Sequence, residues 1–338
     1  LIWPARALQA DGADIDLVLP NEPQERQLRA QWLARDGDTH VVDVTPPDAD
    51  IVVMQRPIDR HRVHGLEHLQ RHGVRVVVEI DDDFDTVHPR NIAWPRLQPQ
   101  FSPDRNKQWL HRACELADMV VVSTPALAER YGKHGRVRVV RNRIPARYLT
   151  YDAEPHDDLY VGWSGSIATH PDDLQVMGPS LARALRSTGA RMAVVGTGKG
   201  VKRITGIDHD PVSPGWRPIA EYPEALAQVD VGIVPLADTA FNRAKSCLKG
   251  LEMASVGVPF LASPTEEYCW LHAQGAGWLA ANPRMWERSL KQLVVNADHR
   301  AEMAATGREV AGRHTIQAHA HEWHDAWCSA LDRTPVTA

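Results

Sequence analysis

Residues 230–263 read DVGIVPLADTAFNRAKSCLKGLEMASVGVPFLAS, and the fold turns on how they are divided. An apolar run over 231–236 stops at a loop, a helix-forming stretch covers 244–255, and Gly257 and Pro259 end it before a second apolar run. Both apolar runs lack polar alternation, which marks strands covered on two faces, so the unit reads as strand, helix and parallel strand. On the expected helix, Lys245, Lys249 and Glu252 fall at i, i+4 and i+7 and share a face. Cys247, Leu251 and Ala254 take the opposite face, which should be buried. A lysine beside the free N–H groups of a first helical turn suits a diphosphate, and a glutamate two turns deeper suits the two hydroxyls of a ribose. A solvated Lys–Glu stripe is the alternative at this point.

The same alternation extends outward. Further strands are expected at 14–20, 49–55, 74–80, 118–124, 136–140, 159–165, 191–196 and 276–280, with helices at 25–35, 59–72, 107–116, 125–132, 172–187, 220–227 and 286–311. Repeated β–α alternation implies parallel sheets with right-handed crossovers. The polar, proline-punctuated segment 141–158 interrupts the series, which places a linker near 145–158. The expectation is two doubly wound Rossmann-like α/β domains, 1–150 and 158–312, facing a central cleft, with a C-terminal helix at 316–335 packing back on the first. The chain opens on a helical stretch with a stop at Gly12, so the first strand of that domain is expected to be missing or very short.

At 338 residues, 43% hydrophobic and 24% charged, the composition is that of a globular protein of two domains. A formal charge of -5 with no long basic run argues against a nucleic-acid partner. Cys114, Cys247, Cys269 and Cys328 form no CxxC pair, which fits reduced thiols in a cytoplasmic setting. No apolar run reaches the ~18 residues of a membrane span, and no signal-peptide pattern opens the chain.

Three motifs carry chemistry. In GWSGSIATHPDDL, 162–174, a strand ends in Ser164, Gly165 and Ser166, small residues that let backbone approach a phosphate; an ordinary βα turn capped by Asp172 or Asp173 is the competing reading. VVGTGKG, 194–200, is no P-loop, because Gly200 follows Lys199 where Ser or Thr is required. VEIDDDFDTVHPR, 78–90, places Asp81, Asp82, Asp83 and Asp85 at the end of an apolar strand. Alternation sends Asp81 and Asp83 to one side and Asp82 to the other, with Asp85 capping or facing solvent. A magnesium phosphohydrolase of the haloacid dehalogenase type would use Asp83 and Asp85, but no later strand ends in the paired aspartates that would complete its metal site. HAHEWHDAW, 319–327, spaces His321 and His324 at i, i+3 and so lacks the zinc-protease pattern.

Taken together, 230–263, VGWSGSIATHPDDL and VEIDDDFDTVHP resemble the GT-B-type glycosyltransferases related to glycosyltransferase family 4, in order and spacing across nearly the whole chain. The resemblance implies a C-terminal domain that binds a UDP- or GDP-sugar as donor substrate, an N-terminal domain that presents an acceptor hydroxyl, and metal-independent, configuration-retaining transfer with no permanently bound cofactor. By position, Glu252 resembles the ribose-binding glutamate closing the family's E-x7-E motif, whereas Ala244 stands where the first glutamate belongs. Asn242, Lys245 and Ser246 resemble substitutes for it. Gly165 and Ser166, with Ser164, match the phosphate-facing loop, and Trp216 and Arg217 fall where the base is held. Asp82, Asp83 and His88 are then the expected acceptor-side catalytic residues, with Arg56 a cationic partner of the acidic run. A nucleotide-sugar epimerase or binding protein on the same fold stays open, as do the acceptor and the oligomeric state.

Overall fold

The computed structural model describes residues 2–17, 29–35, 38–45, 49–152 and 158–332, and of 29–35 and 38–45 only the backbone path. The chain divides into two compact units: Leu1–Pro89, Ala93–Arg141 and His319–Ala338 form unit 1, and Arg90–Ile92 with Asn142–Ala318 form unit 2.

Unit 1 contains an antiparallel pair, β1 (Arg29–Arg35) and β2 (Asp38–Thr45), and a parallel sheet of β3 (Ile51–Gln55), β4 (Arg75–Ile80), β5 (Met119–Val122) and β6 (Val137–Val139) in sequential order. Strand β5 is Met-Val-Val-Val and buried throughout, as a strand covered on both faces must be. Its connecting helices begin on side-chain caps: Asp59 accepts from Arg62 N–H, Asn106 from Gln108 N–H and Thr124 from Leu127 N–H. The helix Ile316–Cys328 completes the unit, its Ala320, Trp323 and Trp327 packing with Ala5 and Leu8 of the helix Ile2–Ala10 and with Val77, Met119 and Val121 of the sheet.

Unit 2 is a six-stranded parallel sheet of β7 (Tyr160–Ser166), β8 (Arg191–Thr197), β9 (Val212–Gly215), β10 (Val231–Val234), β11 (Phe260–Ala262) and β12 (Trp278–Leu279). The order is β12-β11-β10-β7-β8-β9, so the winding reverses between β7 and β10. Such a switch point leaves a crevice at the carboxyl ends of the two strands. Gly196 makes the β7–β8 approach there possible: it is paired with Gly165, has φ 138°, and a Cβ on it would lie 2.4 Å from the Gly165 carbonyl oxygen.

Five expectations need correction. The helix expected over 286–311 is two, Pro283–Val295 and Ala297–Gly312, parted at Asn296, whose extended backbone ends the first and whose side chain caps the second. Residues 29–35 form strand β1 and not the end of a helix, while 25–28 lie outside the described residues. The described part of the expected strand at 14–20, residues 14–17, is irregular, and 18–20 are not described. The helix expected over 172–187 is a short 3-10 turn, Asp173–Met177, followed by the helix Ser180–Thr188, because Gly178 (φ 53°) and Pro179 break it. The helix expected from Ala244 is two: Ala240–Arg243, capped by Thr239, and Leu248–Ser255. Of the proposed linker and C-terminal helix, 153–157 and 333–335 lie outside the described residues.

Candidate functional site

The carboxyl end of β7 carries a polar network built from two helices and two loops of unit 2. The Ser164 carbonyl accepts a hydrogen bond from Lys249 Nζ at 2.8 Å, and the Ser164 hydroxyl lies 2.8 Å from the Tyr222 hydroxyl. Tyr222 donates to Glu252 Oε2 at 3.1 Å, so Ser164 must donate in turn to Tyr222. Lys249 and Glu252 are one turn apart on the helix Leu248–Ser255, whose Leu251 and Ala254 are buried against the core. Burial pushes the Glu252 carboxyl up to about 7, although the Tyr222 hydrogen bond and the Lys249 charge pull it down.

A second chain meets the first at Lys249. Its ammonium stands 3.4 Å from His170 Nε2, and His170 Nδ1 is 2.9 Å from Asp173 Oδ2. Asp173 is itself fixed, since its Oδ1 accepts from Ala237 N–H at 3.0 Å and from Asn242 Nδ2 at 2.7 Å. This ties the loop after β10 to the turn after β7, the two sides of the switch point. Burial would raise Asp173, yet hydrogen bonds from His170, Ala237 N–H and Asn242 outweigh it and hold the carboxyl below its ordinary range. Asn91 Nδ2 donates to the Thr169 carbonyl, and Ile92 N–H to that of Ala168, bracing the same turn.

The sequence-predicted donor residues fare differently. Ser164 and Glu252 are joined through Tyr222. Gly165 is confined by the Trp163 ring, 2.9 Å from where its Cβ would be. Ser166 serves its own turn, its hydroxyl accepting from Ala168 N–H and its carbonyl from His170 N–H. Asn242 is buried and its Nδ2 is bonded to Asp173 and the Ala237 carbonyl, so it shapes the loop. Lys245 precedes the helix, lies 4.3 Å over the Phe241 ring and does not share the stripe of Lys249 and Glu252. Ser246 accepts from Asn142 Nδ2. Trp216 is 72% exposed, and Arg217 pairs with Glu221 at 3.6 Å beside a concavity of about 410 Å³ lined also by Tyr160, Val195 and Gln228. His170, Asp173 and Tyr222 were missed, whereas Lys249 was expected on the face shared with Lys245 and Glu252. The i, i+3 spacing of His170 and Asp173 is the available signal, and the sequence reading of Asp173 as a turn cap does not use it.

In unit 1, Asp83 is 2% exposed. Its carboxylate accepts from Asp85 N–H at 3.2 Å and the Thr86 hydroxyl at 2.8 Å, and pairs with Arg130 at 3.2 Å. It therefore builds the turn, while the expectation for Asp85 was to cap or face solvent. Asp85 instead meets His111 Nε2 at 2.8 Å and Lys107 at 4.0 Å. Burial opposes ionisation of Asp85, but the His111 hydrogen bond and neighbouring cations prevail and lower its pKa. Each of these carboxylates has its own cationic partner, an arrangement unlike a phosphohydrolase pair converging on magnesium. Asp82 and His88 are half-buried on the same loop. Arg56 lies 3.6 Å from Asp81 and has φ 50°, a left-handed conformation costing about 1–3 kcal/mol in a non-glycine residue. Glu79, also missed, is buried at the end of β4 and accepts from Trp327 Nε1 at 2.9 Å; burial pushes it up to about 7.

No family model matches the chain, and no curated protein does. Solved structures do. Sucrose-phosphate synthase of Thermosynechococcus elongatus has 13% identity and a TM-score of 0.60 over 98% of this chain and 92% of that one. HepE of Anabaena, in complex with UDP, has 15% identity and a TM-score of 0.59 over 83% of this chain and 79% of that one. TarM of S. aureus has 13% identity and a TM-score of 0.58 over 82% of this chain and 54% of TarM, so the chain spans about half of TarM's length. The fold is thus that of the GT-B glycosyltransferases: two parallel-sheet α/β domains. Among the described residues no helix is long and apolar enough to cross a membrane.

Proposed function

We propose that this protein transfers a sugar from a UDP- or GDP-sugar to an acceptor hydroxyl, as a glycosyltransferase akin to family 4. The observation that carries this reading is Lys249 and Glu252, one helical turn apart, at the carboxyl end of β7 beside the β7–β10 switch point. Lys249 would hold the donor's diphosphate and stabilise the charge that grows on it as the glycosidic bond breaks. Glu252, oriented by Tyr222, would accept the ribose hydroxyls; among the described residues only Tyr222 donates to it. HepE structures with UDP and with UDP-glucose support a nucleotide-sugar donor by analogy of fold.

In the same reading unit 1 presents the acceptor, with Asp82 and His88 on its acidic loop as contacts and Asp83 fixing that loop. Transfer would need no metal and would retain configuration. Ala244, in place of the first motif glutamate, leaves the donor sugar to be held by other groups. Calorimetric binding of UDP, GDP, UDP-glucose and GDP-mannose, with and without magnesium, tests the proposal. A magnesium-dependent phosphatase activity without nucleotide binding would sink it.

A further inference from the structure

His170 is set up to meet the same anion as Lys249. Its Nδ1–H donates to Asp173, which cannot turn away because Ala237 N–H and Asn242 hold its other oxygen. The tautomer is thereby fixed, and Nε2 presents a lone pair to the Lys249 ammonium 3.4 Å away. The charged groups facing the imidazole are Asp173 from its own turn, Lys249 from the helix Leu248–Ser255, and Lys245 from the segment before that helix. From β7 the uncharged Trp163 ring meets it, edge-on at 6.2 Å.

Without an anion the imidazole is neutral, because a proton on Nε2 would sit against the ammonium. A diphosphate placed on Lys249 reverses that balance. Its negative charge favours imidazolium, the buried Asp173 carboxylate supplies the counter-charge, and Nε2–H becomes a donor aimed where Lys249 aims. We propose that His170 is a second ligand of the donor diphosphate, and that its imidazole takes up one proton from solvent as the anion binds. This rests on the reading that Lys249 holds that diphosphate. Burial and the Lys249 charge keep the free imidazole below the ordinary histidine range, which leaves room for the rise.

The sign of the linkage follows. Between the free and bound pKa of His170, affinity increases as pH falls, by at most about tenfold per pH unit for one proton. The phosphodiester groups of a nucleotide sugar do not titrate in this range, but Glu252, up to about 7, does. The informative quantity is therefore the difference between the wild type and His170→Asn, which keeps a donor for Asp173 and cannot titrate.

The test is calorimetry of UDP-glucose and GDP-mannose binding in buffers of different ionisation heat, from about pH 5 to about pH 8. The wild type should take up more protons than His170→Asn, by up to about one, and gain about tenfold or more in relative affinity toward low pH. Equal uptake and parallel pH curves would overturn the proposal while leaving the donor reading intact. Failure of every nucleotide sugar to bind would overturn the donor reading and this inference with it. A measurement that needs no His170 variant is the NMR titration of the His170 ring: its pKa should rise when wild type is saturated with UDP-glucose, and also in ligand-free Lys249→Met. An unmoved value in either case would refute the coupling.

Discussion

Tyr222 donates its phenolic hydrogen to Glu252 Oε2 at 3.1 Å, and this bond aims a carboxyl that burial has brought up to about 7. The carboxylate has one oxygen held and the other directed by the same constraint. Glu252→Ala should therefore weaken UDP-glucose or GDP-mannose binding by more than about tenfold, since a hydrogen bond to a charged group contributes about 1.5–3 kcal/mol. Tyr222→Phe should weaken it less, by loosening that aim. Calorimetry reads both, and unchanged affinity in Glu252→Ala would place the ribose elsewhere.

Glu79 and Glu252 share a pH signature. Each is raised to about 7 from an ordinary 4.5, so between those values the folded chain binds more protons than the unfolded one. Their contribution to stability is present below about 4.5 and is lost as pH rises through about 7. Glu79→Gln keeps an acceptor for Trp327 and removes the titration. It should match the wild type near pH 5 and exceed it near pH 8 by on the order of 3 kcal/mol at most, read from urea unfolding at each pH.

Asp83 separates turn building from acceptor chemistry. Asp83→Ala strands the Thr86 hydroxyl and Arg130 and should cost about 1–3 kcal/mol of stability by denaturant unfolding. Loss of turnover with an unchanged unfolding midpoint would instead assign Asp83 to substrate contact.

Two glycines predict opposite outcomes. A Cβ at Gly196 would meet the Gly165 carbonyl oxygen at 2.4 Å, so Gly196→Ala must part β7 from β8 at the site; a loss of about 2 kcal/mol or more and weaker nucleotide binding are expected. Gly65, inside the helix Arg60–Arg71, has nothing among the described residues within 4 Å of its would-be Cβ, and Gly65→Ala should stabilise by about 0.5–1 kcal/mol. Thermal melts check both.

Local chemistry made part of the fold legible. The helix 107–116 stands where the pattern put it, because Asn106 caps it and Leu110, Ala113 and Cys114 face the core. The all-apolar runs became β4, β5, β7, β8, β10 and β11. Strand β9, Val-Ser-Pro-Gly, escaped notice because it is a short, exposed edge with no apolar signal. Residues 29–35 are helix formers by propensity, yet pairing with β2 makes them a strand. The stretch 244–247 also permits helix; Asn242 bound to Asp173 and Ser246 bound to Asn142 accompany its departure from one.

The sequence alone determined the alternation of buried strands with capped helices, and hence two parallel-sheet domains, because periodicity and capping act within a few residues. It also singled out Ser164 and Glu252, which the fold links through Tyr222. Only the tertiary structure decided that Lys249, and not Lys245, is the lysine at β7, and that His170 faces it from 79 positions away. That pairing depends on β7 lying beside β10 in the sheet, a long-range choice set by the packing of whole strands and not by any local preference along the chain.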